Sequence, residues 1–206
     1  MDGTRDMIKR LAKAAVRKII ADYELWSIYR APEKTLLPAE WESVRFAPVD
    51  VRQVILSAPS TAIRNLAGFA GAEAAGFGAW VDDCLVSLCW FWWGERYRRS
   101  RLVWPLTEHE AHLVQIITDE GFRGRQIAAG LIQYATFRMH QQGAGPLYAR
   151  IWHSNAPSVK AFRNAGWTPV AFVARIARSP ERYYRLIIQW DPKFRVTLSF
   201  QTSKGE

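Results

Sequence analysis

The chain has 206 residues, 49% of them hydrophobic and 23% charged, so it can form a folded domain and does not belong to the intrinsically disordered class. Its 28 Lys and Arg against 19 Asp and Glu give a net charge of +9, which attracts phosphorylated ligands, polyanions or anionic membranes without choosing among them. The longest nearly uncharged apolar run, residues 84–94, is about half of a membrane-spanning helix, and the basic N-terminus lacks the apolar core of a secretory signal.

Residues 1–40 are expected to be an appendage to a main domain at residues 41–206. Within it, Met7–Trp26 is predicted to be a helix, because apolar residues recur at three- and four-residue steps and basic residues occupy the other side. Such a helix can lie on an anionic membrane, meet a partner or pack on its own domain, and the sequence leaves these alternatives open. The apolar stripe is Ile8, Leu11, Ala15, Ile19, Tyr23 and Trp26, and the basic side is Lys9, Arg10, Lys13 and Arg17.

The first half of the main domain is predicted to contain two helices and three strands, from hydrophobic periodicity and turn residues. The next segment, Gly94–Leu106, is rich in arginine and is predicted to be a solvated loop or hairpin extension, or else a clamp for an anionic substrate group. The elements are a strand at Ser43–Phe46, a helix capped by Asp50, a helix from Ser60 toward Ala74, and a hairpin of Gly76–Val81 and Cys84–Trp93.

The second half is predicted to begin with an apolar strand and a helix that ends at two glycines. The strand–helix–strand unit over residues 111–152 should be a right-handed crossover with parallel strands. Cys84 and Cys89 should not pair, which fits a cytoplasmic protein. The elements are strands at Ala111–Thr118 and Leu147–Trp152, a helical stripe from Ile127 to Met139, a helix at Asn155–Ala165, and strands at Pro169–Ile176 and Arg182–Trp190.

The stretch Thr118–Ala129 is the first that indicates chemistry. A strand ends there, a polar turn with glycines follows, and a helix begins. The first amides of that helix lack internal partners and lie at the positive end of the helix dipole, while Arg123 and Arg125 add charge. The turn is therefore either a cradle for a pyrophosphate or an ordinary basic turn before a helix.

Two motifs in this strand order resemble the GNAT superfamily of acyl-CoA-dependent N-acetyltransferases. The acyl-CoA signature of that family is Arg or Gln, two residues, Gly, one residue, and Gly or Ala. Arg123 and Ala128 match its ends, and Gln126 departs from its middle glycine. The segment Asn155–Trp167 resembles the later motif of the family, with an Asn, an aromatic seven residues on, then Gly and an aromatic. The resemblance covers residues 42–190 and implies a mixed α/β fold, with a centrally splayed sheet flanked by helices.

The resemblance also implies where acetyl-CoA would bind. The backbone at Ile117 and Thr118 would pair with the pantetheine arm and the thioester carbonyl, because this strand splays from its parallel neighbour in the family. The side chain of Asn155 would contact the cofactor arm, cap its helix, or do both. The pyrophosphate loop would consist of Arg123, Gly124, Arg125, Gln126, Ile127 and Ala128.

The implied reaction is direct attack of an amine on the thioester, and a base helps because a primary amine near pKa 10 is mostly protonated at pH 7. Strict alternation puts His112 on the face of Thr118, near a position where family members keep a glutamate base, and Glu110 is the second candidate. The alternative for His112 is a hydrogen-bonded core residue. His109 and His112 face opposite ways in a strand, so we predict no metal site.

Many relatives use a tyrosine in the late helix to protonate the departing thiolate, and the matching position here is Phe162. Water or another tyrosine such as Tyr148 would then serve, or the thiolate leaves unassisted. We therefore predict a cytoplasmic, acetyl-CoA-dependent N-acetyltransferase with a small amine acceptor, acidic or sugar-linked, and no nucleic-acid partner. The alternatives are a non-catalytic acyl-CoA-binding module, and a peripheral membrane or scaffold protein that acts through residues 7–26. The sequence favours no particular oligomeric state.

Overall fold

The computed structural model describes residues 22–35, 43–100, 104–179 and 182–202. By its internal contacts the chain divides into two compact units. Residues 28–169 make up the larger unit, and residues 22–27 with 170–202 are the described part of the smaller one. Strands β1, Asp22–Arg30, and β7, Thr168–Ser179, each carry residues of both units.

The larger unit is a mixed sheet with helices on both faces. The sheet order is β2-β3-β4-β5-β6, and all neighbours are antiparallel except the last pair, which is parallel as predicted. The strands are β2 (Arg45–Val49), β3 (Ala74–Val81), β4 (Cys84–Trp92), β5 (Ala111–Thr118) and β6 (Leu147–Trp152). The helices are α1 (Val51–Ser57), α2 (Thr61–Arg64), α3 (Gly94–Arg99), α4 (Ile127–Gln141) and α5 (Ala156–Asn164), with 3-10 turns at Asn65–Phe69 and Glu120–Phe122.

Side-chain caps start two of the helices where the sequence predicts. Asp50 and Gln53 form a capping box at α1, in which the carboxylate of Asp50 accepts the Gln53 N–H at 2.8 Å and the Gln53 side chain accepts the Asp50 N–H at 3.0 Å. At α5, the side-chain oxygen of Asn155 accepts the N–H of Ser158 at 3.2 Å. Each cap satisfies amides that the first helical turn leaves without partners.

Two apolar cores lie on opposite faces of this sheet. The first joins the sheet to α4 and α5, and the second joins it to α1 and α2. In the first core, the Trp167 indole N–H donates to the Thr136 hydroxyl, which in turn donates to the Ile132 carbonyl, so the buried polar groups are satisfied. The first core includes Phe77, Phe91, Leu113, Leu131, Ile132, Leu147, Phe162 and Trp167; the second includes Val54, Ile63, Leu66, Leu88 and Trp90.

The described part of the smaller unit consists of strands in the order β1-β7-β8-β9, where β8 is Arg182–Gln189 and β9 is Arg195–Thr202. Neighbours from β7 to β9 are antiparallel. The guanidinium of Arg175 binds the carboxylate of Glu24 at 2.7 Å, which joins β7 to the start of β1.

The predicted N-terminal helix is wrong at its end, because Asp22–Trp26 lie in β1. The rest of that prediction, residues 7–21, lies outside the described residues. Tyr23 and Trp26 fit the helical spacing, but Trp26 and Ile28 are buried with half-buried Ser27 between them, which is the alternation of a strand. Burial in a sheet therefore overrides the helical period at this point.

Three more segments differ from prediction. The arginine-rich segment starts with helix α3 rather than a loop, and the helix that follows Ser60 gives way to the 3-10 turn before reaching Ala74. Strand β9 was not predicted at all. In α3, the carboxylate of Glu95 pairs with Arg98 and Arg99 at the helical spacings of three and four residues.

Candidate active site

The parallel strands β5 and β6 pair over only three residues. The registered partners are Ala111 with Leu147, His112 with Tyr148, and Leu113 with Ala149. Beyond the third pair the strands separate, and a cleft of about 120 Å³ opens between them and the start of α5. The cleft is lined by Leu113, Val114, Gln115, Ile116, Arg150, Ile151, Trp152, Asn155, Ser158 and Phe162.

A β-bulge lies at the point where the pairing ends. On the β4 side, Trp90 pairs with Gln115, but the next residue, Phe91, pairs with Leu113, so Val114 is an extra residue in β5. A bulge leaves its extra residue out of the ladder and increases the local twist. The bulge thus accounts for the divergence of β5 from β6 immediately after Leu113.

The bulge also corrects a prediction about His112. Strict alternation places its side chain on the face of Ile116 and Thr118, but the extra residue reverses the alternation between them. Opposite residues in a ladder share a face, and His112 stands opposite Trp92 on the face of Gln115. The predicted shared face with Thr118 is therefore wrong.

The loop before α4 leaves the first amides of that helix uncapped by a side chain. Gln126 is the N-cap residue, and its side chain makes no capping hydrogen bond. The first bond of the helix runs from the Gly130 N–H to the Gln126 carbonyl at 3.1 Å. The amides of residues 127–129 precede that bond, so they are the helical donors available to a ligand.

Two positions in this loop have left-handed backbones. Gly124 has φ 80°, and Gln126 has φ 60° and ψ 8°. The second of these is the position where the family signature expects glycine. The backbone therefore keeps the conformation that favours glycine although the residue is glutamine, at a cost of about 1–2 kcal/mol.

The two predicted arginines of the loop take different positions. The Arg123 guanidinium donates to the Thr118 carbonyl at 3.3 Å and lies 3.2 Å from the carboxylate of Glu120. The guanidinium of Arg125 lies over the ring of Phe122, 5.2 Å from its centroid. Arg123 thus ties the loop to the end of β5, and Arg125 is held beside the same loop.

His112 is a buried, neutral imidazole with one unused nitrogen. Its Nδ1–H donates to the Leu113 carbonyl at 3.0 Å, and its ring stacks on Tyr97 with centroids 5.1 Å apart. Among the described residues, Nε2 has no hydrogen-bond partner. Burial, helped by the positive charge of Arg150 and opposed by the bond to Leu113, lowers the pKa of His112 to about 3. An unsatisfied buried nitrogen is uncommon and calls for an explanation.

The Tyr97 side chain, which covers His112, is fixed by its own hydrogen bond. Its hydroxyl donates to the Trp104 carbonyl at 2.7 Å. Burial raises the pKa of Tyr97, against the lowering effect of the Arg150 charge and of that hydrogen bond. Tyr97 is therefore a neutral hydroxyl at physiological pH.

Both carboxylate oxygens of Glu110, the second predicted base, have protein partners. One oxygen accepts the Thr107 N–H at 2.7 Å, and the other accepts the hydroxyl of Tyr148 at 3.5 Å. Glu110 precedes β5 and does not line the cleft. The hydroxyl of Tyr148, which the sequence offered as an alternative proton donor, therefore lies next to the carboxylate of Glu110.

Asn155 alone among the predicted site residues lines the cleft, and its side-chain oxygen caps α5. Phe162, the position where relatives carry a tyrosine, also lines it and packs edge-on against Trp167 with centroids 5.1 Å apart. Ile117 and Thr118 lie beyond the cleft in β5, and their carbonyls accept the Ser87 hydroxyl and the Arg123 guanidinium.

The cleft residues that the sequence did not indicate belong to the middle of β5 and to β6, with Arg150 the charged one among them. Arg150 is half-buried, and its charge acts on both His112 and Tyr97. No motif marks it. The alternation along β6 could have indicated Arg150, because it puts Arg150 on one face of the strand with Tyr148 and Trp152.

The arginine cluster proposed as an anion clamp is largely engaged within the protein. The Arg96 guanidinium donates to the carbonyls of Phe69 and Ala70 at 3.1 and 3.0 Å. Arg98 and Arg99 share the carboxylate of Glu95, at 2.7 and 3.0 Å. Arg101 lies outside the described residues.

Comparison with known proteins identifies the fold. The family model of the acetyltransferase (GNAT) family matches residues 24–167, so the match begins inside β1. A structure assigned to the GNAT family from Novosphingobium aromaticivorans DSM 12444 has 15% identity and a TM-score of 0.51, covering 76% of this chain and 65% of that one. A GNAT-family acetyltransferase from Colwellia psychrerythraea has 20% identity and a TM-score of 0.51, covering 80% and 59%. No curated protein matches the chain.

Neither a membrane-spanning helix nor a cluster of metal ligands occurs among the described residues. None of their helices is both long and apolar enough to cross a membrane. They also contain no group of three or more His, Cys, Asp and Glu side chains that could hold a metal ion.

The buried His112 predicts that mild acid destabilises the protein. The folded state keeps the ring neutral down to about pH 3, whereas the unfolded chain takes up its proton near pH 6.5. Between these values the unfolded state binds one more proton, so the free energy of unfolding falls as the pH falls. From pH 7 to pH 5 the loss should be about 2 kcal/mol.

Urea unfolding at pH 7 and pH 5 measures this loss, and His112→Gln should remove most of it. His140→Gln is the comparison, because His140 is less buried although burial also lowers its pKa, so it should remove a smaller part. An equal loss in wild type and His112→Gln would contradict the prediction.

Proposed function

Because the chain belongs to the GNAT acetyltransferase family, we propose that it is an acetyl-CoA-dependent N-acetyltransferase with a small amine acceptor. The observation that carries the proposal is the end of β5–β6 pairing after Leu113 and Ala149, which leaves a cleft along β5, the strand that leads into the loop before an uncapped helix start. A strand without a neighbour offers backbone groups to an extended ligand, and a helix start offers amides to an anion.

The residues proposed to hold acetyl-CoA are the stretch from the end of β5 to the start of α4, and Asn155 at the start of α5. The amides of Ile127 and Ala128, with the loop residues Arg123–Gln126, would bind the diphosphate. The backbone of β5 would bind the pantetheine arm, at Ile116 within the cleft as well as at Ile117 and Thr118. Asn155 lines the cleft while its oxygen caps α5, which supports both of its predicted roles.

Acetyl-CoA supplies an acetyl thioester, and the chain supplies a group that can accept a proton from the attacking amine. His112 precedes the cleft residue Leu113, and no residue that the structure describes bonds to its Nε2 lone pair. A neutral imidazole of such low pKa would not deprotonate a free ammonium ion, so the acceptor would react as the neutral amine. We propose that Nε2 takes the proton that becomes acidic as the new C–N bond forms.

The thiolate that leaves would have no phenol in the late helix to protonate it, since Phe162 occupies that position. The hydroxyl of Tyr148 is held at 3.5 Å from the Glu110 carboxylate, and we keep it as the proposed alternative to water.

An acidic acceptor is supported by Arg150 rather than by Arg98 and Arg99. Arg150 lines the cleft beside the proposed base, whereas the side chains of Arg98 and Arg99 are exposed outside the cleft. We propose that Arg150 attracts an anionic group of the acceptor, such as the phosphate or carboxylate of an amino sugar or amino acid derivative. A charged hydrogen bond of this kind is worth about 1.5–3 kcal/mol.

A non-catalytic acyl-CoA-binding module is the second candidate. The buried position of His112 and the apolar Phe162 favour it, because neither offers an exposed acid or base. Cofactor binding without product from any amine would decide for this candidate.

Isothermal titration should detect acetyl-CoA binding, and substitutions of Gln126 should resolve how the loop binds it. Gln126→Gly relieves the left-handed backbone and should raise the free energy of unfolding by about 1 kcal/mol. It should bind acetyl-CoA at least as tightly if only backbone amides matter. Gln126→Ala is the control, because it removes the side chain and keeps the strain.

If the side chain of Gln126 donates to the diphosphate, both variants should bind more weakly. No binding at millimolar acetyl-CoA would remove the proposed function.

Turnover with a panel of amines should depend on His112 more than on Glu110. We expect His112→Gln to lower kcat about 100-fold or more, the usual contribution of a positioned base, with acetyl-CoA affinity retained. Glu110→Gln is the matched control, since its oxygens are already engaged, and it should lower kcat less than 10-fold. The reverse order would assign the base to Glu110.

The role of Arg150 can be tested with an amino sugar and its phosphorylated counterpart. Arg150→Gln should raise KM for the phosphorylated acceptor about 10- to 100-fold and leave KM for the neutral one nearly unchanged. Arg98→Ala with Arg99→Ala should change neither. An increase in KM in that double variant alone would locate the anion at α3 instead.

A further inference from the structure

One face of the sheet in the smaller unit is apolar and open. In the β8–β9 register, Tyr184 stands opposite Phe200, and opposite residues share a face. Val196, Leu198 and Phe200 are 55%, 71% and 53% exposed on this face. The face, called the apolar sheet face below, consists of Tyr184, Leu186, Ile188, Val196, Leu198 and Phe200, and continues on β7 through Phe172, Ala174 and Ile176.

The opposite face is polar along β9, at Arg195, Thr197 and Ser199, whereas along β7 it carries the buried Ala171 and Val173. Arg185 stands opposite both Arg175 and Ser199, and Arg175 pairs with Glu24 on β1. An apolar sheet face normally packs against a second layer. Among the residues described in this unit, 22–27 and 170–202, there is no helix to supply that layer.

We propose that residues 7–21 form a helix that packs on the apolar sheet face. Ile8, Leu11, Ala15 and Ile19 would contact the sheet, and the basic residues on the other side of the helix would face water. The segment ends directly before Asp22, the first residue of β1, so it is attached to the sheet that it would cover. Attachment raises its local concentration far above that of a separate partner.

The dimensions of the segment and the sheet agree. Fifteen helical residues extend about 22 Å. The axes of four neighbouring strands span about 14 Å, and side chains widen that layer. One helix of this length can therefore cross all the strands of the unit, with its apolar stripe over the exposed side chains.

A disulfide between the two surfaces tests the contact directly in the full chain. In a protein with Cys84→Ser, Leu11→Cys and Leu198→Cys should form an intrachain disulfide under mild oxidation. The yield should not change on dilution, and the product should run as a monomer on a non-reducing gel. The control pairs Leu11→Cys with Thr197→Cys on the polar face, which should stay reduced.

A double-mutant cycle gives an independent measurement that does not need cysteines. Leu11→Asp and Leu198→Asp should each lower the urea midpoint of unfolding. The midpoint of the double variant should be no lower than that of the less stable single variant. Leu11→Asp combined with Thr197→Asp should give additive losses. Additive losses for the first pair, together with no disulfide, would overturn the proposal.

Two other occupants would give different results. If the face binds a second copy of the chain, light scattering should show a dimer that Leu198→Asp converts to monomer, and any disulfide should join two chains. If it binds a membrane, the wild type should sediment with phosphatidylglycerol vesicles but not with phosphatidylcholine vesicles, and Leu198→Asp should stay in solution. Either result would overturn packing by residues 7–21.

Discussion

The constraint on which the rest depends is the early end of the pairing between β5 and β6. A parallel ladder would normally satisfy the inner backbone groups of both strands. Here the extra residue Val114 turns β5 away after the third pair, and the start of α5 contributes to the space that opens. The cleft is thus a consequence of backbone geometry, and the bulge determines where the residues of β5 lie around it.

The same bulge determines the surroundings of His112. It lies before the bulge, on the face of Gln115, where the ring of Tyr97 stacks on it and encloses it. Enclosure keeps the imidazole neutral, and the bond from Nδ1 to the Leu113 carbonyl leaves the lone pair on Nε2. A weak acceptor of this kind would suit the proposed reaction, in which the amine becomes acidic only as it attacks. It would not suit a reaction that needs an ammonium ion deprotonated first.

The sequence predicted the elements that carry strong local signals. Strand β5 was predicted to the residue, the two caps at Asp50 and Asn155 were correct, and the GNAT resemblance is confirmed by the family match. The bulge at Val114 was not predictable in the same way, because no glycine or proline marks it and it depends on the partner strand. The prediction of which sheet face carries His112 was therefore wrong, since one inserted residue reverses the alternation.

Strands β1 and β9 were missed for different reasons. In β1, the apolar spacing of Tyr23 and Trp26 also fits a helix, and only the neighbouring strands decide between the two. In β9, Val196, Leu198 and Phe200 alternate clearly, but the fold suggested by the resemblance was already complete before them. An alternation of apolar residues normally indicates a strand with one buried face. In β9 the apolar side chains are exposed in the described part of the chain, so the pattern does not match a buried face there.

Gln126 combines a departure from the signature glycine with a backbone conformation that favours glycine. A glutamine would be easiest to accommodate in a right-handed or extended backbone, yet φ is 60° and the helix starts at Ile127. The loop therefore keeps its backbone at the cost of local strain, as happens where a ligand or the surrounding structure requires a geometry. A left-handed residue directly before uncapped amides aims consecutive N–H groups toward one point. The diphosphate site that we propose would account for the conformation at this position.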